Sequence, residues 1–203
     1  MSKKILITQR IDKIEDINET RECIDLRLMY LCQELGFIPI QISSTIVEKY
    51  NINDYLNNFS FDGIILSGGN DINTCKIRDQ LETKLLDYSK SNKIPLFGIC
   101  RGLQMINKYQ KGSLELLDQH CNTNHLIYGE GIFKNRIVNS YHNYGVTEKT
   151  LGIKLKPLAY AFDGSIEAIK HIEYPWMGIM WHPERDKKAN KLDLELIKIH
   201  LNN

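Results

Sequence analysis

Cys100 stands between Gly98 and Gly102, directly after the apolar run Ile94-Pro95-Leu96-Phe97. A nucleophile on a sharp strand-to-helix turn needs small residues on both sides, and Gly-x-Cys-x-Gly is the thiol form of that elbow. Gly98 lets the turn approach neighbouring backbone, and Gly102 lets the new helix pack close to the strand it left. The helix N-terminus under the sulfur favours a thiolate. Taken alone, the stretch fits an inert buried cysteine equally well. Met180-Trp181-His182-Pro183-Glu184 changes the balance. A thiol, an imidazole and a carboxylate together are the set for acyl transfer. Cys100 would attack a carbonyl carbon. His182 would take the thiol proton and later protonate the leaving group. Glu184 would fix the imidazole tautomer and stabilise its charged form. Pro183 fixes φ between the last two and stiffens the pair.

These residues act together only if the fold brings them to one edge. Ile5-Leu6-Ile7-Thr8 is a short apolar run of the kind buried on both faces of a sheet, followed by Gln9 and Arg10. A helix is expected over about Asn18 to Leu35, with Ile24, Leu28, Leu31 and Leu35 as its core face and Gly36 as its stop. Phe37–Ile42 reads as a strand near an edge, because Pro39 cannot donate to a ladder. Phe61–Leu66 is a further strand, ending in Ser67-Gly68-Gly69-Asn70, and a helix follows from about Arg78 to Ser89. The Cys100 strand and its helix to about Tyr109 come next. This alternation predicts an α/β fold, a mostly parallel central sheet with helices on both faces. After Gly112 the pattern changes. Residues 113–176 read as an extra antiparallel region, with a hairpin turn at Asp163-Gly164. Met177–Trp181 returns as a buried strand, and a last helix spans about Lys191 to Leu201 with Leu192, Leu196 and Ile199 on one face.

Ligands of open parallel sheets sit at the carboxyl ends of the strands. Those ends carry Gln9 and Arg10, the Gly68-Gly69 turn, Cys100, and His182 with Glu184. An oxyanion formed on the carbonyl needs donors. The backbone N–H of Arg101 is the first candidate, and the second is expected from the Gly68-Gly69 turn, with Gly69 as donor.

Composition bounds what else the chain can be. It has 203 residues, a span that one core can fill, so a single domain over 1–203 is expected. The formal net charge of +1 argues against a general nucleic-acid footprint. Five cysteines without a C-x-x-C pair argue against a disulfide framework and fit a reducing cytoplasm. Ile5-Leu6-Ile7 is too short for a signal sequence, and no run approaches the ~18 apolar residues of a membrane helix. The expectation is therefore a cytoplasmic protein acting on a small molecule, with no nucleic acid, membrane or cofactor involved.

Gly98-Ile99-Cys100-Arg101-Gly102-x-Gln104 with His182-Pro183-Glu184 resembles the class I (triad) glutamine amidotransferase superfamily. More closely, the chain resembles the γ-glutamyl-γ-aminobutyrate hydrolase family. That likeness rests on Leu66-Ser67-Gly68-Gly69-Asn70-Asp71, Arg78-Asp79-x-x-Glu82, Asn139-Ser140-Tyr141-His142, Asp163-Gly164-x-Ile166-Glu167-Ala168 and Gly178–Arg185, in order along nearly the whole chain. The resemblance implies a flavodoxin-like fold and cleavage of a γ-glutamyl amide through a Cys100 thioester. It implies that Gln104 and Asn139, Ser140, Tyr141 and His142 hold the glutamyl α-amino and α-carboxylate groups, with Gly68 beside them. A glutaminase feeding ammonia to a separate synthetase chain is the alternative reading. Nothing in the sequence indicates such a partner, and a homodimer is compatible with it. The segment Ile72–Ile77, after Asn70-Asp71, is shorter than in members that act on γ-aminobutyrate compounds. Short members also resemble γ-glutamyl hydrolases of bacterial capsule phosphoramidate synthesis, which cut a γ-glutamyl phosphoramidate of CDP. A pyrophosphate in the leaving group would want cations, and Arg10, Arg21, Arg27, Arg101 and Arg185 are candidates.

Other residues read more plainly. His120-Cys121-x-x-x-His125 offers three metal ligands but no fourth, so a structured loop and no metal are expected. His171 and His200 read as surface residues, Cys23 and Cys32 as packing residues of the long helix, and Trp176 and Trp181 as core or pocket wall. Asp79 and Glu82 read as solvated or paired with Arg78.

Overall fold

The computed structural model describes residues 2–202. In chain order the strands are β1 (Lys4–Thr8), β2 (Arg10–Ile14), β3 (Glu19–Cys23), β4 (Ile38–Ile42), β5 (Gly63–Leu66), β6 (Leu96–Ile99) and β7 (Glu115–Leu116), followed by β8 (Cys121–Gly129), β9 (Arg136–Tyr141), β10 (Tyr144–Gly145), β11 (Leu155–Ala161), β12 (Ile166–His171) and β13 (Trp176–Ile179). The helices are α1 (Leu26–Glu34), α2 (Ile46–Lys49), α3 (Ile52–Leu56), α4 (Lys76–Asn92), α5 (Arg101–Tyr109) and α6 (Lys191–Asn202).

Nine strands form one sheet in the order β4-β1-β5-β6-β13-β12-β11-β8-β9. From β4 to β13 neighbours are parallel, and from β13 to β9 they are antiparallel. The parallel half matches the predicted alternation, and the antiparallel half is the region expected near 113–176. β4 lies at the edge, where Pro39 is tolerated.

The central strands are buried on both faces, which their near-continuous apolar runs permit. Alternate side chains feed two separate cores. Leu6, Ile64, Leu66 and Leu96 pack with Leu81 and Leu85 of α4 and Leu103 and Ile106 of α5. Ile5, Ile7, Ile65, Phe97 and Ile99 pack on the other face with Leu28 and Leu31 of α1 and Leu196 and Leu201 of α6.

Three expectations need correction. The long helix over Asn18–Leu35 starts only at Leu26. Its N-cap is Asp25, whose carboxylate accepts from the Arg27 N–H at 2.9 Å. Before it, β2 and β3 pair as an antiparallel ribbon turned by Asn18 at φ 51°. Cys23 therefore belongs to a strand, with its Sγ 3.1 Å from Asp12 Oδ2, and only Cys32 packs in α1. The apolar face of α6 is Leu196, Ile197 and Leu201, whereas Leu192 and Ile199 are exposed. Neither His171 nor His200 is a surface residue. His171 is buried and accepts the Glu173 and Tyr174 N–H groups at 2.9 Å, and His200 Nε2 bonds the Leu96 carbonyl at 3.0 Å.

Candidate active site

β1, β5, β6 and β13 are neighbours and parallel, so their carboxyl ends share one edge. Cys100 links β6 to α5 at φ 51°, ψ −102°, a strained backbone for a residue with a Cβ. Its N–H donates to the Ile179 carbonyl at 2.7 Å, which ties the elbow to the end of β13. The flanking glycines are sterically required. A Cβ on Gly98 would lie 2.5 Å from the Gly102 backbone, and one on Gly102 would lie 2.2 Å from the Leu66 carbonyl. The N–H groups of the first turn of α5, including that of Arg101, have no partner within the helix.

His182 follows β13 and precedes a short 3-10 turn, Pro183–Arg185. Its Nδ1 lies 2.6 Å from Glu184 Oε1, and the Cys100 thiol stands close enough to the ring to raise its proton affinity. Burial works against a charge on His182. Contact with Cys100, the hydrogen bond to Glu184 and the attraction of both outweigh it, and the imidazole is pushed up to about 9. The structure thus brings Cys100, His182 and Glu184 together, with His182 hydrogen-bonded to Glu184 and next to the thiol.

The Gly68-Gly69 turn touches the same line. A Cβ on Gly68 would sit 2.6 Å from His182 Cε1, and Gly69 holds φ +83°, which favours glycine. Arg78 shapes this turn, a role the residue's position in the sequence did not suggest. Fully buried on α4, it donates to the carbonyls of Ser67 at 2.7 Å, Gly68 at 3.0 Å and Gly69 at 2.8 Å. In a planar trans peptide the N–H points opposite to the C=O. Turning the Gly68 carbonyl inward to Arg78 therefore turns the Gly69 N–H outward. The visible signal was the i, i+4 spacing of Arg78 and Glu82.

Arg101 requires a correction. Its guanidinium is buried and paired with Glu82 and Asp79. It is a structural cation and cannot serve an anionic leaving group, although its backbone N–H stays at the elbow. Glu82 is shared, since Arg78 Nε donates to its other oxygen at 3.0 Å. Burial alone would raise the Glu82 carboxyl, but the two guanidinium groups hold it below its ordinary range.

The residues expected to grip the glutamyl group divide. Asn139 has both amide hydrogens committed, to the His182 carbonyl at 2.8 Å and Asp186 Oδ1 at 2.9 Å, and its oxygen accepts the His182 N–H at 2.9 Å. Asn139 clamps the His182 backbone and has no free donor for a ligand. The hydroxyl of Ser140, which is buried, donates to the His120 carbonyl at 2.5 Å. Both are positioning groups here, in place of the substrate contacts expected of them. Tyr141 is exposed, edge-on to His182 with ring centroids 5.9 Å apart, and the Arg185 guanidinium lies 4.4 Å over its ring. Gln104 donates to the Tyr144 carbonyl at 2.8 Å, and His142 Nδ1 lies 3.1 Å from the same oxygen. His142 is buried rather than open to a ligand. Burial dominates its proton affinity and brings it down to about 4, so it is neutral at pH 7.

Arg10, Gly68, Gly69, His182 and Arg185 line a narrow cleft of about 60 Å³. A wider cleft of about 480 Å³ shares Glu184 and Arg185 with it and adds Arg27, Tyr30, Lys187 and Lys188. A larger cavity, about 770 Å³, is lined by residues such as Lys84, Lys111 and Tyr174 and by none of the three predicted catalytic groups. Of the five candidate arginines, Arg10, Arg21 and Arg27 pair with exposed acids two residues away. Arg185 forms no ion pair among the described residues.

The His182 balance gives a pH prediction. Because the imidazole is raised above its ordinary 6.5, the charged form persists until pH rises through about 9. Catalytic efficiency is expected to hold at neutral pH and fall on an alkaline limb near that value. Glu184→Gln keeps an acceptor but removes the charge, so the limb should move to lower pH with a modest loss in kcat. A kcat/KM profile of both proteins checks this, and a limb that stays in place would contradict it.

The family model described as glutamine amidotransferase class-I matches residues 27–198. The chain is 33% identical over 197 residues to the γ-glutamyl-CDP-amidate hydrolase of Campylobacter jejuni subsp. jejuni serotype O:2, covering 93% of each chain. It is 27% identical over 190 residues to the γ-glutamyl-γ-aminobutyrate hydrolase of Escherichia coli O157:H7, covering 73% of each. The crystal structure of a glutamine amidotransferase from Thermotoga maritima superposes with a TM-score of 0.66 at 14% identity, covering 100% of this chain and 85% of that one. That structural likeness concerns the fold alone. Among the described residues no helix is long and apolar enough to cross a membrane.

Proposed function

Since the chain belongs to the class I glutamine amidotransferase family and is an enzyme of the γ-glutamyl amide hydrolase type, we propose that Cys100, His182 and Glu184 are its catalytic groups and that its substrate is a γ-glutamyl phosphoramidate of CDP. The observation that carries the chemistry is the Glu184–His182 hydrogen bond set beside Cys100 at the strained elbow. The Cys100 sulfur attacks the γ-carbonyl carbon. The oxygen takes the charge and is met by the N–H groups of Arg101 and Gly69. As the C–N bond breaks, the protonated His182 gives its proton to the leaving nitrogen. Water then attacks the thioester carbonyl with His182 as base, releasing glutamate and the free thiol. Glu184 holds the imidazole in one tautomer throughout. The whole chain acts as one domain in this reading, on a small molecule, with no cofactor.

The substrate assignment rests on the Campylobacter jejuni relative and on Arg185. Arg185 alone among the five candidate arginines is free of both an acid partner and full burial. It lies beside the cleft that Lys187 and Lys188 also line, where a pyrophosphate would find cations. Replacing Arg185 with Ala should raise KM for γ-glutamyl-CDP by roughly tenfold, the scale of one charge-assisted pair. KM for γ-glutamyl-γ-aminobutyrate, which lacks the diphosphate, should move far less. Kinetics on both compounds with product mass spectrometry provide the check, and equal changes on both would remove the diphosphate assignment.

The second reading, a glutaminase chain supplying a separate synthetase, is favoured by one observation. Similarity at 28% over 152 residues extends to the glutamine-hydrolysing GMP synthase component of Methanococcus vannielii. Glutamine turnover that rises only when a synthetase chain is added would favour it.

A further inference from the structure

His120 and His125 read as a structured loop from sequence because no fourth ligand was in sight. The fold leaves Cys121 exposed and instead brings Glu167 and His142 to the two histidines. Glu167 of β12 lies with its Oε1 3.6 Å from His120 Nδ1 and 3.7 Å from His142 Nε2, and its Oε2 3.3 Å from His125 Nε2. The donor atoms of His120, His125 and Glu167 all lie within 4.8 Å of one another. The four side chains are at most 7% exposed. Among the described residues, Glu167 Oε1 and Oε2, His120 Nδ1, both ring nitrogens of His125 and His142 Nε2 lack a hydrogen-bond partner. A buried carboxylate surrounded by unpartnered imidazole nitrogens is otherwise a poor core.

We propose that His120, His125, His142 and Glu167 form a closed tetrahedral site for a structural zinc ion. The spacing fits such an ion. Ligands about 2.1 Å from a tetrahedral centre lie roughly 3.4 Å from each other, close to the 3.3–3.7 Å between the Glu167 oxygens and the three imidazole nitrogens, while the imidazoles would draw together around the ion. The outer bonds also fit. His120 Nε2 is 2.9 Å from Asp163 Oδ2, and His142 Nδ1 is 3.1 Å from the Tyr144 carbonyl. Each bond holds the proton on the far nitrogen and turns the lone pair of the other toward the centre. The charges close as well, since Glu167 and Asp163 together balance a dication. With four protein ligands and almost no exposure, no position is left for a reacting water, so the ion is structural.

Its place explains what it would hold. His125 lies on β8, His120 just before it, His142 after β9 and Glu167 on β12. The Glu167 carbonyl accepts the Met180 N–H at 2.8 Å, two residues before His182. The Ser140 hydroxyl and the His142 backbone N–H both donate to the His120 carbonyl. The ion would thus staple the antiparallel half of the sheet to the segments that carry Asn139, Tyr141 and His182.

The test uses full-length protein without a histidine tag and with Cys100→Ser, so that the reactive thiol cannot bind metal. Elemental analysis should find about one zinc per chain, and far less in His125→Gln and Glu167→Gln. Chelator-stripped protein should take up about one Co²⁺ per chain, with the intense visible absorption of four-coordinate cobalt. Adding Zn²⁺ should bleach that band and raise the melting temperature. If the two variants fail to fold, the cobalt titration of the Cys100→Ser protein decides the matter alone. Failure of that protein to bind either ion, a weak six-coordinate cobalt spectrum, or an unchanged band in folded His125→Gln would each overturn the site.

Discussion

Replacing Cys100 with Ala is expected to lower γ-glutamyl turnover by roughly 10⁴-fold or more, because the covalent route disappears with the sulfur. The fold should survive. Cys100 is held by its backbone, through its N–H to Ile179 and its carbonyl to the Gln104 N–H at 3.1 Å. Alanine keeps the Cβ that the strained φ already accommodates, so the melting temperature should stay close to that of the parent. Acid quenching of the parent protein during turnover should trap a glutamyl adduct on Cys100, visible by mass spectrometry and absent from the variant. Turnover within tenfold of the parent would sink the thioester mechanism and with it the proposed role of His182.

The largest effect on stability is expected at Glu82, a residue remote from the thiol in sequence. Glu82 is fully buried between two guanidinium groups, Arg78 on one oxygen and Arg101 on the other. Removing one partner of a buried ionic network leaves charge without compensation, which typically costs about 3–5 kcal/mol. Glu82→Gln should therefore lower the urea midpoint strongly. Arg101→Met in the same chain should recover part of that loss, since it removes one of the stranded cations. Activity should suffer beyond the loss of folded protein, because Arg78 would no longer be fixed under the carbonyls of Ser67, Gly68 and Gly69. A Glu82→Gln protein as stable as the parent would contradict the account. The pH dependence has a defined sign. Glu82 is held below its ordinary 4.5 in the folded state. Its contribution is present above that value and is lost as pH falls through the lowered one. Acid unfolding of the parent should thus include a component that Glu82→Gln lacks, which stability curves against pH would reveal.

The two networks divide the work at the strand ends. The Arg78–Glu82–Arg101 cluster supports the side of the site made by β5, β6 and the first turns of α4 and α5. The Asn139 clamp supports the side made by β9 and the segment after β13. Each keeps buried polar groups paired; the first fixes the Ser67–Gly69 backbone and the second fixes the backbone of His182. Position, more than the identity of the reacting side chains, is what these residues supply.

The parallel half of the fold was legible in the sequence, because doubly buried strands must be continuous apolar runs separated by amphipathic helices. Ile5–Thr8, Ile64–Leu66 and Leu96–Ile99 could hardly be anything else. The elbow was legible as well from its Gly-x-Cys-x-Gly spacing: Gly98 answers to the nearby Gly102 backbone, whereas Gly102 answers to the Leu66 carbonyl of a neighbouring strand. So was the pairing of His182 with Glu184 across one stiff residue. The β2–β3 ribbon was not, because exposed strands carry no apolar period and the following helix seemed to extend back over them. The fate of the charged and polar residues was not legible either. Arg101 and Arg185 are the same residue type, yet one is buried against Glu82 and the other lies beside a cleft. Asn139 and Ser140 have donors free in the sequence and spent in the fold. His120, His125, His142 and Glu167 stand at scattered positions, and only the antiparallel sheet gathers them. Local sterics and hydrophobic period can be read along a chain. The partner of a polar group depends on what tertiary structure places within about 3 Å of it, and that no spacing along the sequence determines.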